Sequence, residues 1–286
     1  MKIYNGLVLG IGLMVCGACA SPTTEKRTNS DFVPEGYQLV WNDEFESHRS
    51  GLPDSTKWMY DLGGGGWGNK ELQYYAAGYH RTDTVAKVDQ DMLHLVAYRL
   101  HEPVDGHSYL SARMKTRESW LYGYFEARMK LPKGCGTWPA FWMLPEKFKE
   151  WPLDGEIDIM EHVGSSPDSV LISTHTLQFN HARGTQKTSV THVPHAQDTF
   201  HVYGLEWTKD SICGYIDGKQ CFQFFNDGKQ DRSSWPFYTP FRLILNQAVG
   251  GMLGGKKGID DTSYPADFQI DYVRVYQKIL NRPQVL

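Results

Sequence analysis

Cysteine is scarce in this chain, with five among 286 residues. Two of them, Cys16 and Cys19, fall in the first twenty residues; the others, Cys135, Cys213 and Cys221, are odd in number and show no Cys/His spacing of the zinc-binding kind. That excludes a disulfide-dense scaffold and a structural zinc site. Basic charge is not in excess: Lys and Arg number 29 against 33 Asp and Glu, a formal net charge of −4. This argues against a nucleic-acid binder and against an acidic disordered tail. No window of about twelve residues carries a capped amphipathic 3.6-residue period, and no repeat period recurs. Helical bundles, coiled coils and solenoids are therefore excluded. Long apolar runs are missing too. The stretch from Leu7 to Val15 is far short of the roughly 20 apolar residues that a membrane span needs.

What the chain has in quantity is aromatic: Trp 9, Tyr 16 and Phe 13, together 13% of the residues, alongside 28 Gly and 14 Pro. That mixture points to short strands, many turns and flat side chains available for stacking on ligands. Residues 1–19 (MKIYNGLVLGIGLMVCGAC) read as an export signal, with Lys2 ahead of the apolar stretch. Small residues before Cys19 resemble a bacterial lipoprotein processing site, which would make Cys19 the lipidated first residue of the mature chain. The expected location is the bacterial outer membrane or cell surface, with plain secretion or a periplasmic location as the alternative. Residues 20–36, polar through Ser21 to Asp31, read as a flexible tether. The folded domain is expected over 37–278, with 279–286 as a tail.

Within 37–278, β-rich runs alternate with turn signals. Tyr124–Leu131 places Phe125, Ala127, Met129 and Leu131 on one face and Tyr124, Glu126, Arg128 and Lys130 on the other. His94–Tyr98, Phe200–Trp207, Phe241–Val249 and Phe268–Tyr276 are similar runs, separated by turns such as Asp217-Gly218 and Asp227-Gly228. Many short strands at this spacing mean a sandwich or barrel. A hairpin at Asp217-Gly218 that pairs Ile216 with Lys219 would set Gly214 opposite Cys221. The two cysteines would then face opposite ways, so no disulfide is expected there. Trp58 and Trp207 are expected in the core.

The chemistry concentrates in residues 153–164, LDGEIDIMEHVG. A strand after the Asp154-Gly155 turn puts Glu156 and Asp158 on one face and Ile157 and Ile159 in the core. Glu161 is out of phase unless one extra residue, a β-bulge at Met160, returns it to the acidic face. Glu156 and Glu161 then lie roughly 13 Å apart along the backbone at ~3.3 Å per residue. With side chains leaning together, their carboxyls come within about 5 Å, the spacing of a retaining glycosidase pair. Asp158 between them would raise a neighbour's proton affinity by like-charge repulsion. A solvated acidic face or a calcium site is the plainer alternative for such acids. Tryptophans tilt the balance: Trp138 and Trp142 stand just before the acids, and Trp67 with Asn69 lies upstream. Indoles stack on the C–H faces of pyranose rings while amides and charges take the hydroxyls.

Six blocks in order, GGWGNKELQYY, YGYFEARMKLP, GTWPAFWMLP, GEIDIMEHVG, LNQAVGG and FQIDYVRVYQ, resemble glycoside hydrolase family 16 in its laminarinase-like branch. The similarity runs from about Gln38 to Gln277. It implies an all-β fold, a β-jelly-roll sandwich of two antiparallel sheets with a concave substrate cleft. It also implies Glu156 as nucleophile, Asp158 as helper and Glu161 as acid/base. By the same resemblance Asn69, Arg113, Trp138, Trp142 and Asn246 line the glycone side, with His175 near the acids. No cofactor is implied for catalysis. A structural Ca²⁺ is implied on the convex side at Glu44, Asp91 (by its backbone) and Asp271, oxygen donors that suit that ion. The expected activity is endo-acting, retaining cleavage of β-1,3- or mixed β-1,3/1,4-glucan. A galactanase of the same fold and a non-catalytic glucan-binding module are the alternatives. The expected partner is the glucan itself, with membrane contact only through the lipid, no nucleic acid, and a monomeric state. The sequence departs from the family pattern at Gln247, at Met252-Leu253 and in Ser173–Asn180, all near the expected cleft.

Overall fold

The structure is a computed structural model that describes residues 32–46 and 51–278. The proposed leader with Cys16 and Cys19, most of the tether and the tail at 279–286 lie outside the described residues. All described residues fall in one compact unit. Two large sheets dominate it. One, here the cleft sheet, has seven strands in the order Lys187–His192, Ser169–His175, Glu156–His162, Thr137–Pro145, Phe241–Val249, Arg113–Thr116 and Trp58–Tyr60. The other, the back sheet, centres on Gly123–Lys130 and the long Ala266–Lys278, which pair with each other; Ala266–Lys278 also takes Tyr37–Asp43. Pairing is antiparallel throughout except where Gln73–Tyr75 runs parallel to His107–Ser111. Among the described residues helix is limited to short turns such as Gly251–Gly254.

The core lies between the sheets, and period-two alternation explains how it fills. The cleft sheet contributes Met114, Phe141, Met143, Ile157, Ile159, Ile172, Leu243 and Leu245, and the back sheet Phe125, Ala127, Met129, Leu205, Val273 and Val275, all buried. Each such side chain stabilises the fold by roughly 1.5–3 kcal/mol. Trp58 and Trp207 are in this core, as the sequence suggests. Alternation alone misjudges the outer face of Gly123–Lys130, because Tyr124 and Glu126 there are buried as well.

The hairpin at Asp217-Gly218 corrects one register. Ile216 does pair with Lys219, but a bulge leaves Cys221 unpaired and sets Gly214 opposite Phe222. Cys221 packs against the central core, whereas Cys213 is buried outside it, and both thiols are free. The bulge, which turn chemistry does not reveal, changes the partner without bringing the cysteines together.

Candidate active site

The acid strand Glu156–His162 is launched by Gly155, whose φ of 87° an L side chain rarely adopts; a Cβ there would lie 2.7 Å from Pro236. Asp154 ties the preceding loop by accepting from the Lys149 and Glu150 amides at 2.7 and 2.8 Å, and it pairs with Arg232. The strand carries the expected extra residue, but Ile159 and not Met160 is the one left unpaired with Thr137–Pro145. Asp158 pairs with Trp142 and Ser173, Met160 with Phe141, and Glu161 with Ala140 and Leu171, so one extra residue lies between Asp158 and Glu161. Ile157, Ile159 and Met160 all enter the core, and the three acids share the opposite face.

Across the sheet, Glu161, Ala140, Asn246 and Arg113 lie in one register row. Ala140 is the small residue of that row, between Glu161 and Asn246. Trp138 Nε1 donates to Glu161 Oε1 at 3.1 Å, and Trp142 Nε1 donates to Asn246 Oδ1 at 2.7 Å. Asn246 Nδ2 in turn donates to the Tyr75 hydroxyl at 3.0 Å. Arg113 sits between two indoles, 4.8 Å from the ring centres of both Trp67 and Trp142, with its Nε donating to Asp61 at 3.1 Å. Such stacking orients a guanidinium and keeps its remaining donors available. Asn69 joins this flank, with its amide 3.4 Å from Glu71 Oε1.

On the other flank His175 pairs in register with Glu156. Its Nε2 lies 3.3 Å from Asp158 Oδ2 and 3.8 Å from Glu156 Oε1. Among the described residues this trio is the group whose ligand-type atoms all lie within 4.8 Å of one another. The structure thus brings Glu156, Asp158, Glu161, Asn69, Arg113, Trp138, Trp142, His175 and Asn246 onto one face or its border.

Three further residues belong here that the motif reading passed over. Trp151 Nε1 donates to Glu156 Oε2 at 3.1 Å. His181 stacks on Trp151, with ring centres 4.7 Å apart, and meets His175 edge-on at 5.1 Å. Glu71, quoted only as part of a motif, is buried beside the asparagines. Trp151 and His181 lie in irregular segments, where no period signals them.

Burial sets the electrostatics. Loss of solvent, followed by the Asp158 charge and then Glu161, pushes Glu156 up to about 8, with His175 and Arg113 opposing. Asp158 is the most enclosed, and burial ahead of repulsion from Glu161 holds its proton well above the usual carboxylate range. Burial also raises Glu161; His175 and the Trp138 N–H restrain it, and Glu71 adds to the rise. A cluster with these directions keeps at least one carboxyl protonated near neutral pH, the condition for general-acid chemistry.

The positions given for calcium behave differently. The carboxylate of Glu44 is gripped by Arg274 through both oxygens, at 2.8 and 2.9 Å, and Asp271 accepts from Arg128 at 2.8 Å. Both carboxylates expected to hold the ion are thus bonded to arginines.

The model of glycosyl hydrolases family 16 matches residues 73–274. The chain belongs to glycosyl hydrolase family 16. It is 48% identical over 258 residues to a "Beta-glucanase" of Rhodothermus marinus, with 87% of each chain covered. Among solved family 16 structures, the laminarinase from Rhodothermus marinus superposes with a TM-score of 0.79 at 47% identity, over 85% of this chain and 98% of that one. SCLam, a "non-specific endo-beta-1,3(4)-glucanase", gives 0.80 at 43% identity, over 86% and 93%. These matches establish the β-jelly-roll of the family for this chain.

Proposed function

We propose that the protein is an endo-acting, retaining glycoside hydrolase that cuts β-1,3- or mixed β-1,3/1,4-glucan. One observation carries the reading: three acids on one bulged strand, the outer two each met by an indole N–H, the middle one enclosed. Glu156 attacks the anomeric carbon and forms a glycosyl-enzyme ester as the C–O bond to the leaving sugar breaks. Glu161 gives its proton to the departing oxygen, then takes one from the water that hydrolyses the ester. Protonated Asp158 removes one source of the repulsion that raises Glu156, and so enlarges the fraction of Glu156 present as the nucleophilic carboxylate. Trp151 stabilises that carboxylate with its N–H. The glycone lies over Trp142, Asn246, Asn69 and Arg113, and the leaving group on the His175 side.

The relatives support the glucan class, since they are named as β-glucanase and endo-β-1,3(4)-glucanase. Purified protein on laminarin, barley glucan, lichenan and agarose, read by reducing sugar, tests this. Laminarin and barley glucan should be cut and agarose not; cleavage of agarose alone would replace the reading with a galactanase. In this reading no metal takes part in the chemistry and the catalytic domain is a monomer, which light scattering checks. We also infer from the sequence a lipid anchor at Cys19, which Cys19→Ala should abolish, moving the protein from the membrane fraction to the soluble one. A mature N-terminus elsewhere would overturn it.

A further inference from the structure

Glu71 is a buried carboxylate that the proposed chemistry leaves unused. Three neutral donors converge on it: Gln73 Nε2 on Oε2 at 2.6 Å, the Tyr75 hydroxyl on Oε2 at 3.1 Å, and Asn69 Nδ2 near Oε1 at 3.4 Å. A carboxyl met by donors alone is held as the acceptor, that is, as the carboxylate. Tyr75, which gives its proton to Glu71, is itself the acceptor for Asn246, and Asn246 accepts from Trp142. An unbroken chain of donors therefore runs from the Trp142 indole to Glu71. Gln73 closes the other end, its carbonyl oxygen accepting the Val249 amide at 2.7 Å.

The same side chain lies near the tryptophan that holds the acid. A Cβ built on Gly251 would be 3.3 Å both from Glu71 Cγ and from the Trp138 ring, and that ring donates to Glu161. Glu71 and Trp138 therefore flank the same glycine. Its backbone is fixed, since the amides of Asn69 and Glu71 both reach the Gly66 carbonyl and Leu72 binds the end of the Phe241–Val249 strand.

We propose that Glu71 is a positioning residue, the fixed anion that ends this relay, orients Asn69 and Asn246, and sets its charge on the Trp138 side of Glu161. It rests on the function proposed above. Burying a carboxylate costs several kcal/mol unless it is well paired, and neutral Gln would satisfy much of the same packing. What Gln cannot supply is the charge. Glu161 is faced by the Trp138 N–H and by His175, both favouring its ionised form, by Glu71, which opposes it, and by Asp158, which burial holds towards its neutral form. Burial raises the proton affinity of Glu71, and the Gln73 donor, Arg113 and the Asn69 and Tyr75 donors all oppose that rise and favour the anion.

The test is a carboxyl-¹³C titration of the whole protein, with Glu161 assigned by Glu161→Gln, run beside the pH profile of kcat/KM on laminarin. Glu71→Gln should lower the Glu161 midpoint by on the order of one unit and move the basic limb of the profile down equally. Glu71→Asp, which keeps the charge, should restore most of both. Tyr75→Phe, which cuts the relay, should raise KM several-fold with the basic limb in place. An unchanged Glu161 midpoint in Glu71→Gln, with only thermal stability lower, would overturn the assignment and make Glu71 a structural latch. If Glu71→Gln does not fold, Tyr75→Phe decides the relay: wild-type KM in that variant would overturn it. A wild type silent on every glucan sinks the proposed activity, while the titration still decides Glu71.

Discussion

The two flanks of the acid strand are built differently. Towards Arg113 the side chains are joined by hydrogen bonds at 2.7–3.1 Å through Trp142, Asn246, Tyr75 and Glu71. Towards His181 the contacts are ring against ring: Trp151, His175 and His181 lie 4.7–6.0 Å apart at their centres. Donor chains fix orientation, because moving one member breaks two bonds. Flat rings offer area and tolerate sliding. One flank is thus suited to holding a sugar in a single pose, the other to accepting a leaving sugar of variable linkage and releasing it. His181 belongs to the accommodating flank, since it is exposed and sits in a short turn capped by the Asn180 side chain.

Removing the acids themselves should break both flanks at once. Glu156→Ala and Glu161→Ala should each lose nearly all turnover on glucan, Glu161→Ala least on aryl glycosides with activated leaving groups. Added azide should give a β-glycosyl azide with Glu161→Ala and the α-anomer with Glu156→Ala; the reverse pattern swaps the roles. Asp158→Asn should lower kcat by about 10–100-fold. Because burial already holds Asp158 towards its neutral form, the exchange removes no charge beside Glu156, and the acid limb of the pH profile should stay in place, which initial rates across pH 3–9 would show.

The contrast between the flanks sharpens with smaller changes. Asn246→Ala takes away the acceptor of Trp142 and the donor to Tyr75 and should cost about 10-fold or more in kcat/KM for every substrate. His181→Ala should raise KM a few-fold for long glucans and leave small aryl glycosides unaffected. Equal effects of the two on aryl glycosides would erase the distinction.

Stability gives a further check. Glu156 binds its proton more tightly folded, up to about 8, than at its ordinary 4.5. Between those values the native state holds a proton that the unfolded chain has released, so stability should fall as pH rises through that window. Chemical denaturation of Glu156→Gln should show a flatter dependence and, at pH 7, a gain of about 1–3 kcal/mol. The smallest effect is expected from chelation: with Glu44 and Asp271 bound to arginines, EDTA should shift neither Tm nor rate appreciably.

The acid strand is where sequence and structure agree most closely, and the reason is local. Ile157 and Ile159 can be buried together only on a strand, and Glu161 can rejoin Glu156 and Asp158 only through an inserted residue, so neighbouring residues alone specify the bulge. The bulge at Cys221 has no such constraint. Nothing in the residues from Tyr215 to Phe222 demands an extra position, and it follows from how that hairpin settles on the core. Trp151 and His181 escaped notice because irregular segments carry no period, and Glu71 because its relay closes through Asn246, 171 residues from Tyr75.

The sequence by itself determined which residues could act: the three acids, the indoles ahead of them, and the alternation that commits each strand to one buried and one open face. These are properties of residue type and period, and they need no knowledge of neighbours. The tertiary structure decided what each acid meets. Trp151 on Glu156, Trp138 on Glu161, His175 beside Asp158, and Glu71 with Trp138 around Gly251 come together through strand pairing and loop closure. Proton affinity in a buried cluster depends on those neighbours far more than on the residue's own chemistry.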